Sequence, residues 1–229
     1  IQKLPYTLTK GQMDTLSQIR SDLQGPYVSQ RLIQGDVGSG KTIVAFLAML
    51  DVVASGYQAA IMAPTEVLAM PHAAGFREMC ADYGLPYQVV CLTGSMTASQ
   101  KKKAYEIIAT RPQIFVVGTH ALIQEKVDYL NLALVVTDEQ HRFGVKQRES
   151  LSKKGMTPHM LVMSATPIPR TLAMILYGNM QISAIHELPA DRIPIKTCVI
   201  KEDLRQKAYE MIGRELAGGH QAYIICPLV

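Results

Sequence analysis

The chain has 229 residues, of which 48% are apolar, 18% charged and 6% aromatic, so it can bury a substantial core and intrinsic disorder is excluded. Its 16 Gly and 12 Pro follow no period, which excludes a collagen-like or low-complexity architecture. With 23 basic and 19 acidic side chains the formal charge is +4, which permits a polyanionic partner without requiring one.

The first residues, Ile1-Gln2-Lys3-Leu4-Pro5, carry no initiator Met and no charged-then-apolar leader, so the expectation is an internal start within a longer protein. Compact, nearly all-apolar runs then recur at 31–34, 59–63, 88–92, 114–117, 132–137, 160–163 and 182–185. Runs of that length suit strands covered on both faces, as in a parallel sheet between helices. After the first run, Ile43, Leu47, Leu50 and Ala54 fall on one helical face. The alternation predicts an α/β fold of repeated βα units, with ligands at the carboxyl ends of the strands. The longest charge-free stretch, 52–65, is too short and too polar to cross a bilayer, so no membrane partner is expected. Cys80, Cys91, Cys198 and Cys226 form no CxxC pair, which fits reduced thiols in the cytoplasm and suggests no metal site of their own.

Residues 188–194, with prolines at both ends of a charged stretch, read as a linker. Beyond it a strand at 196–200, a helix at about 202–216 and a strand at 222–226 would make one βαβ unit. The expected division is therefore one lobe over 1–190 and the incomplete opening of a second over 191–229.

Gly35-Asp36-Val37-Gly38-Ser39-Gly40-Lys41-Thr42 matches G-x-x-x-x-G-K-[ST] between a predicted strand and a predicted helix. Such a loop turns its backbone N–H groups inward and adds the positive end of the helix dipole, making an anion cradle. Lys41 would reach the β- and γ-phosphates of a nucleotide, and the Thr42 hydroxyl would ligate Mg2+. The competing reading, an ordinary glycine-rich turn, explains neither the lysine nor the flanking elements.

The run 132–137 leads into Asp138-Glu139-Gln140-His141. Phosphoryl transfer to water needs one carboxylate on the metal and another group to orient and deprotonate the water. Asp138 is the candidate for the metal and Glu139 for the general base. Taken alone the pair could be a solvated strand end, and His141 a structural histidine.

These motifs, with Ala63-Pro64-Thr65-Glu66, Gly118-Thr119-His120-Ala121-Leu122, the run to Val145 and residues 164–173, resemble the ordered motifs of superfamily 2 helicases. Together they are similar to the RecG branch, bacterial ATP-dependent DNA helicases that remodel stalled forks and Holliday junctions. The resemblance implies a RecA-like lobe with ATP and Mg2+ as cofactors, and forked or branched DNA, read without sequence preference, as partner. It gives Gln12 the adenine edge, although a Gln here is also an ordinary turn residue. It makes Gln140 and His141 couple the nucleotide site to Ser164-Ala165-Thr166, otherwise a strand end with small capping residues. It places Thr65, Gly118 and Thr119 on the phosphodiester backbone, with Thr93-Gly94-Ser95 as possible additions. Lys101-Lys102-Lys103, Arg142, Lys146 and Arg148 read better as solvated faces, since no aromatic platform is interleaved with them.

The resemblance also implies a second helicase lobe supplying arginine fingers and an N-terminal wedge domain. The 229 residues alone are then expected to hydrolyse ATP weakly or not at all. Two departures stand out: Met70-Pro71 before His72, where the proline should shorten or kink a helix start, and His186, Ala190 and Asp191 near the linker. Alternatives from other classes are a transcription-repair coupling translocase, which shares several motifs, and a nucleotide-binding lobe without activity. A kinase lid with arginines and a guanine-reading [NT]-K-x-D are not evident, and His186-Glu187 does not complete H-E-x-x-H.

Overall fold

Strands that are apolar on both sides need cover on both sides, and the computed structural model, which describes residues 6–138, 157–166, 180–187 and 197–226, provides it. The strands are β1 (Gln30–Gly35), β2 (Gln58–Met62), β3 (Gln88–Leu92), β4 (Ile114–Gly118), β5 (Leu132–Asp138), β6 (His159–Ser164) and β7 (Gln181–Ile185). They form one seven-stranded sheet in the order β3-β4-β2-β5-β6-β1-β7. Every pairing is parallel. All seven coincide with the apolar runs of the sequence, and the α/β expectation is met.

The helices are α1 (Lys10–Gln24), α2 (Lys41–Ala54), α3 (Glu66–Asp82) and α4 (Ala98–Thr110). Alternate residues of each central strand enter different cores. Ala59 and Ile61 of β2, with Phe115 and Val117 of β4, join the core beneath α1, α2 and α3. Ala60 and Met62, with Ile114 and Val116, join the core beneath α4.

α2 corrects one expectation. Of the predicted face Leu47 is buried, Ile43 and Leu50 are partly buried against the core and Ala54 is exposed, while Val44, Ala45, Phe46, Ala48, Met49 and Val53 are more buried still. A helix apolar around most of its circumference can be buried around most of it, so a single stripe chosen from the sequence has no privileged direction. α3 starts at Glu66 and runs through Pro71, so the proline does not shorten its start. The ring removes one rung of the hydrogen-bond ladder, and burial of Ala69, Ala73, Phe76 and Cys80 along one face holds the helix together.

Arg31, on the α1 side of β1, is buried to 5% exposure. Its guanidinium grips Asp22 of α1 through two hydrogen bonds of 2.6 and 3.1 Å. It also donates to Gln18, to Ser183 and to Gln181. One side chain thus ties α1, β1 and the edge strand β7 together.

At the amino-terminal starts of β1 and β6 the Ser29 N–H donates to His159 Nδ1 at 3.2 Å. Burial pushes the His159 imidazole below its usual 6.5, against a smaller opposing pull from Asp22. The folded chain therefore binds this proton less readily than the unfolded chain. The associated stability is complete above about pH 6.5 and is lost as pH falls below it. Calorimetry is expected to show the melting temperature dropping over that interval, and His159→Asn is expected to flatten the drop.

The chain divides into two compact units, Ile1–Ala190 and Asp191–Val229. In the second, the expected helix is α5 (Arg205–Ala217), preceded by a short 3-10 turn at Glu202–Leu204. The two flanking strands are not formed: residues 197–200 and 220–226 pair with nothing in a ladder. Val199 and Ile225 are 99% and 93% exposed, and an extended segment without a neighbouring strand has nowhere to place its backbone hydrogen bonds. The linker 188–194 lies outside the described residues. No described helix is long and apolar enough to cross a membrane.

Candidate nucleotide site

Three adjacent strands end side by side. β6 lies between β5 and β1, and its register sets Gln34 opposite Ser164 and Asp138 opposite Met163. Asp138, Ser164 and Gly35, where the phosphate loop begins, therefore stand in one row along the carboxyl edge of the sheet.

The loop takes the shape its glycines permit. Gly38 and Gly40 have φ of +82° and +80°, a region that a β-carbon disfavours. Gly40 caps α2 without a side-chain acceptor, which leaves the first N–H groups of the helix to an anion. A β-carbon on Gly35 would come within 2.5 Å of Ser39 Oγ, and that buried hydroxyl has no hydrogen-bond partner. Lys41 Nζ arches over the loop and donates to the carbonyls of Gly35 and Asp36 at 2.7 and 2.8 Å. Neutral carbonyls hold an ammonium less strongly than phosphate oxygens do, so the lysine can exchange one for the other.

Gln12 sits beside this loop. Its Oε1 accepts the Thr9 N–H in a capping box at the start of α1, and its Nε2 donates to the Ser39 carbonyl at 2.9 Å. An amide has two N–H groups and two lone pairs, so one donor and one acceptor stay available to a base edge. An open cavity of about 430 Å³ adjoins it, walled by Tyr6, Ile43 and Met79 as well as Thr9, Gln12 and Thr42. A larger cavity of about 600 Å³, lined by Arg20, Asp51, Tyr57 and His159, opens at the opposite, amino-terminal edge and contains no loop residue.

Glu187, just beyond β7, accepts the Gly11 N–H at 2.7 Å and so anchors the turn that carries Gln12. That bond is the main reason its carboxyl is held below the usual carboxylate range. A β-carbon on Gly11 would lie 2.2 Å from the other carboxylate oxygen, so a larger residue there would displace the Glu187 side chain. Sequence reasoning missed Glu187, Tyr6, Ile43 and Met79; only the closeness of Tyr6 to Gln12 in the chain hinted at any of them.

Asp138 and Thr42 offer a magnesium ion one carboxylate and one exposed hydroxyl. Among the described residues no three His, Cys, Asp or Glu gather into a metal cage. Sparse protein ligation suits magnesium, which keeps waters and shares the phosphates of its nucleotide. The buried Thr137 hydroxyl next to Asp138 has no hydrogen-bond partner, which marks this corner as polar and incompletely satisfied. The residues present fit the ion. The Asp138 carboxylate meets His72 Nε2 at 2.9 Å.

Ser164 and Thr166 form a local turn, their hydroxyls 2.9 Å apart and the Thr166 N–H donating to Ser164 Oγ at 3.2 Å. Gln34 Nε2 reaches the Thr166 carbonyl at 3.5 Å, next to the base of the phosphate loop. Of the nucleic-acid candidates, Thr65 is exposed at the N-cap of α3, and its side chain accepts no capping hydrogen bond. Thr119 is 8% exposed, and Gly118 is buried where a β-carbon would come within 2.1 Å of the Leu92 carbonyl. Among the nucleic-acid candidates the exposed residues are Thr65, Gly94 and Ser95. Ser95 gives its N–H and hydroxyl to Glu66 at 2.7 and 2.5 Å, so it braces the loop. Lys101 donates to the Gly94 carbonyl at 2.6 Å. Glu139, Gln140, His141, Arg142, Lys146 and Arg148 lie outside the described residues.

The chain is 51% identical over 231 aligned residues to the ATP-dependent DNA helicase RecG of Aquifex aeolicus, and 46% identical over 229 to that of Bacillus subtilis. Each match covers all of this chain but only 29% and 33% of those proteins, so the chain spans about a third of their length. The solved structure of RecG bound to a three-way DNA junction matches with a TM-score of 0.86 at 40% identity, covering 100% of this chain and 30% of that one. Residues 9–175 match the DEAD/DEAH box helicase description, a span from the capping turn before Gln12 past the Ser164–Thr166 turn. With that match over most of its length, on a parallel sheet carrying a phosphate loop at its edge, the chain belongs to the DEAD/DEAH box helicase family.

Proposed function

We propose that the chain is the ATP-binding half of an ATP-dependent DNA helicase that acts on forked and branched DNA in replication-linked recombination and repair. The row of Gly35, Ser164 and Asp138 on three neighbouring strands carries this reading, together with similarity to the RecG helicases along the whole of this chain.

The triphosphate enters the loop, where the free N–H groups at the start of α2 receive it. Lys41 leaves the Gly35 and Asp36 carbonyls for the β- and γ-phosphates. The adenine slides between Tyr6, Ile43 and Met79, and Gln12 offers its spare donor and acceptor to the base edge. Thr42 and Asp138 would hold a magnesium ion, which would neutralise charge on the phosphate oxygens. Glu139 takes the proton of the attacking water as general base. Ser164, Ala165 and Thr166, with Gln140 and His141, pass the state of the γ-phosphate to a second helicase lobe elsewhere in the protein, which donates the arginine fingers. DNA runs along the edge carrying Thr65, with Gly118 and Thr119 shaping the loop beneath, and an N-terminal wedge divides the strands. Contacts of this kind are made to phosphates, so binding weakens with salt and ignores sequence. The protein works in the bacterial cytoplasm.

The test is strand separation of a fluorescent forked DNA by the full-length protein. Wild type is expected to separate the strands only with ATP, and Glu139→Gln is expected to bind ATP normally but leave the fork intact. Separation by wild type without ATP, or undiminished separation by Glu139→Gln, would overturn the reading.

A further inference from the structure

His72 touches neither the phosphate loop nor the adenine cavity, yet it holds the carboxylate at the end of β5. We propose that His72 is a positioning residue for Asp138, and that α3 carries the state of the DNA edge to the metal-side carboxylate through it. This rests on the reading of Asp138 and of the Thr65 edge given above.

A carboxylate only accepts, so the 2.9 Å contact requires His72 Nε2–H to donate to Asp138 Oδ2. The two side chains are 13% and 18% exposed, so little water competes for the bond. Among the described residues, this is the side-chain hydrogen bond that the Asp138 carboxylate receives. It occupies one oxygen and leaves the other to an ion.

The imidazole is itself held in place. Its ring lies 6.4 Å from that of Phe76, one turn further along α3. Phe76 is fully buried and packs against Phe46 at 4.9 Å and Phe115 at 5.8 Å, so the floor under His72 belongs to the central core. A ring leaning on a close-packed floor has few alternative positions.

The other end of α3 is the candidate DNA edge. Thr65 caps the helix, and Glu66, its first residue, receives both Ser95 hydrogen bonds. Thr65 and His72 are about 10 Å apart along the axis at ~1.5 Å per residue. A phosphodiester strand that pulls on Thr65 and Ser95 moves the helix that presents His72. Binding can then favour one placement of the Asp138 carboxylate over another, which is all that coupling between the two sites requires.

The experiment uses the full-length protein and the variants His72→Ala and His72→Gln. The first readout is the Mg2+ concentration giving half-maximal binding of a fluorescent ADP, which needs no turnover. His72→Ala is expected to raise it about tenfold, as for loss of a partner that orients a metal ligand. His72→Gln, whose amide still donates, is expected to recover most of that loss. The second readout is the ratio of ATP turnover with and without forked DNA, expected to fall severalfold in His72→Ala and to stay near wild type in His72→Gln. An unchanged Mg2+ requirement in His72→Ala would overturn the proposal, as would equal losses in both variants. Absence of DNA stimulation in wild type would instead overturn the functional reading on which the proposal rests.

Discussion

Replacing Lys41 with alanine in the full-length protein is expected to lower kcat/KM for ATP by two to three orders of magnitude, about 3 to 4 kcal/mol. The side chain is the cation poised over the loop, and its present partners are two main-chain carbonyls that satisfy it only until phosphate arrives. The charge it places against the β- and γ-phosphates grows in value as the transferring group separates, so the loss should fall mainly on kcat. Lys41→Arg is expected to recover little, because a planar guanidinium does not replace a compact ammonium in a loop this tight. Steady-state hydrolysis checks both variants. Their melting temperatures should stay within about 2 °C of wild type, since the Lys41 ammonium is held by loop carbonyls and substitutions away from the core cost little.

Asp22→Ala is expected to have the largest effect on stability, roughly 3 to 5 kcal/mol, read as a fall of about 10 °C in melting temperature. The Arg31 and Asp22 side chains are only 6% and 11% exposed, so removing the acid leaves a buried guanidinium without its charge partner. Gln18, Gln181 and Ser183 still accept from Arg31, which points to the lower end of that range. Asp22→Asn should cost less, and Arg31→Met paired with Asp22→Leu should recover much of the loss, because a buried ion pair is often replaceable by packed apolar side chains. Differential scanning calorimetry of the four proteins separates these outcomes.

The sheet was legible because every strand is a short, dense apolar run, and a strand buried on both faces has little choice but to look that way. The phosphate loop was legible for another reason: its glycines are required by the +82° and +80° backbone angles at Gly38 and Gly40, and those requirements lie next to each other in the chain. What stayed hidden joins residues far apart in sequence. His72 and Asp138 are 66 positions apart, Gly11 and Glu187 are 176 apart, and Arg31 reaches Ser183 across 152. No local period or spacing encodes such pairs. The buried side of α2 was misread because nearly every side of it is apolar. The strands expected at 196–200 and 222–226 have suitable composition, but strand propensity expresses itself only against a neighbouring strand. Gly118 and Thr119, expected to contact the phosphodiester backbone, are both buried, and a β-carbon at Gly118 would meet the Leu92 carbonyl.

The central claim is that ATP bound at the edge formed by β1, β6 and β5 drives work on branched DNA. Its most direct test is the rate of ATP hydrolysis by the full-length protein with a three-way DNA junction, compared with a linear duplex of equal length and with no DNA. The expected result is turnover stimulated at least tenfold by the junction, less by the linear duplex, and abolished by Lys41→Ala under all three conditions. Equal turnover with and without the junction, or stimulation that survives Lys41→Ala, would contradict it.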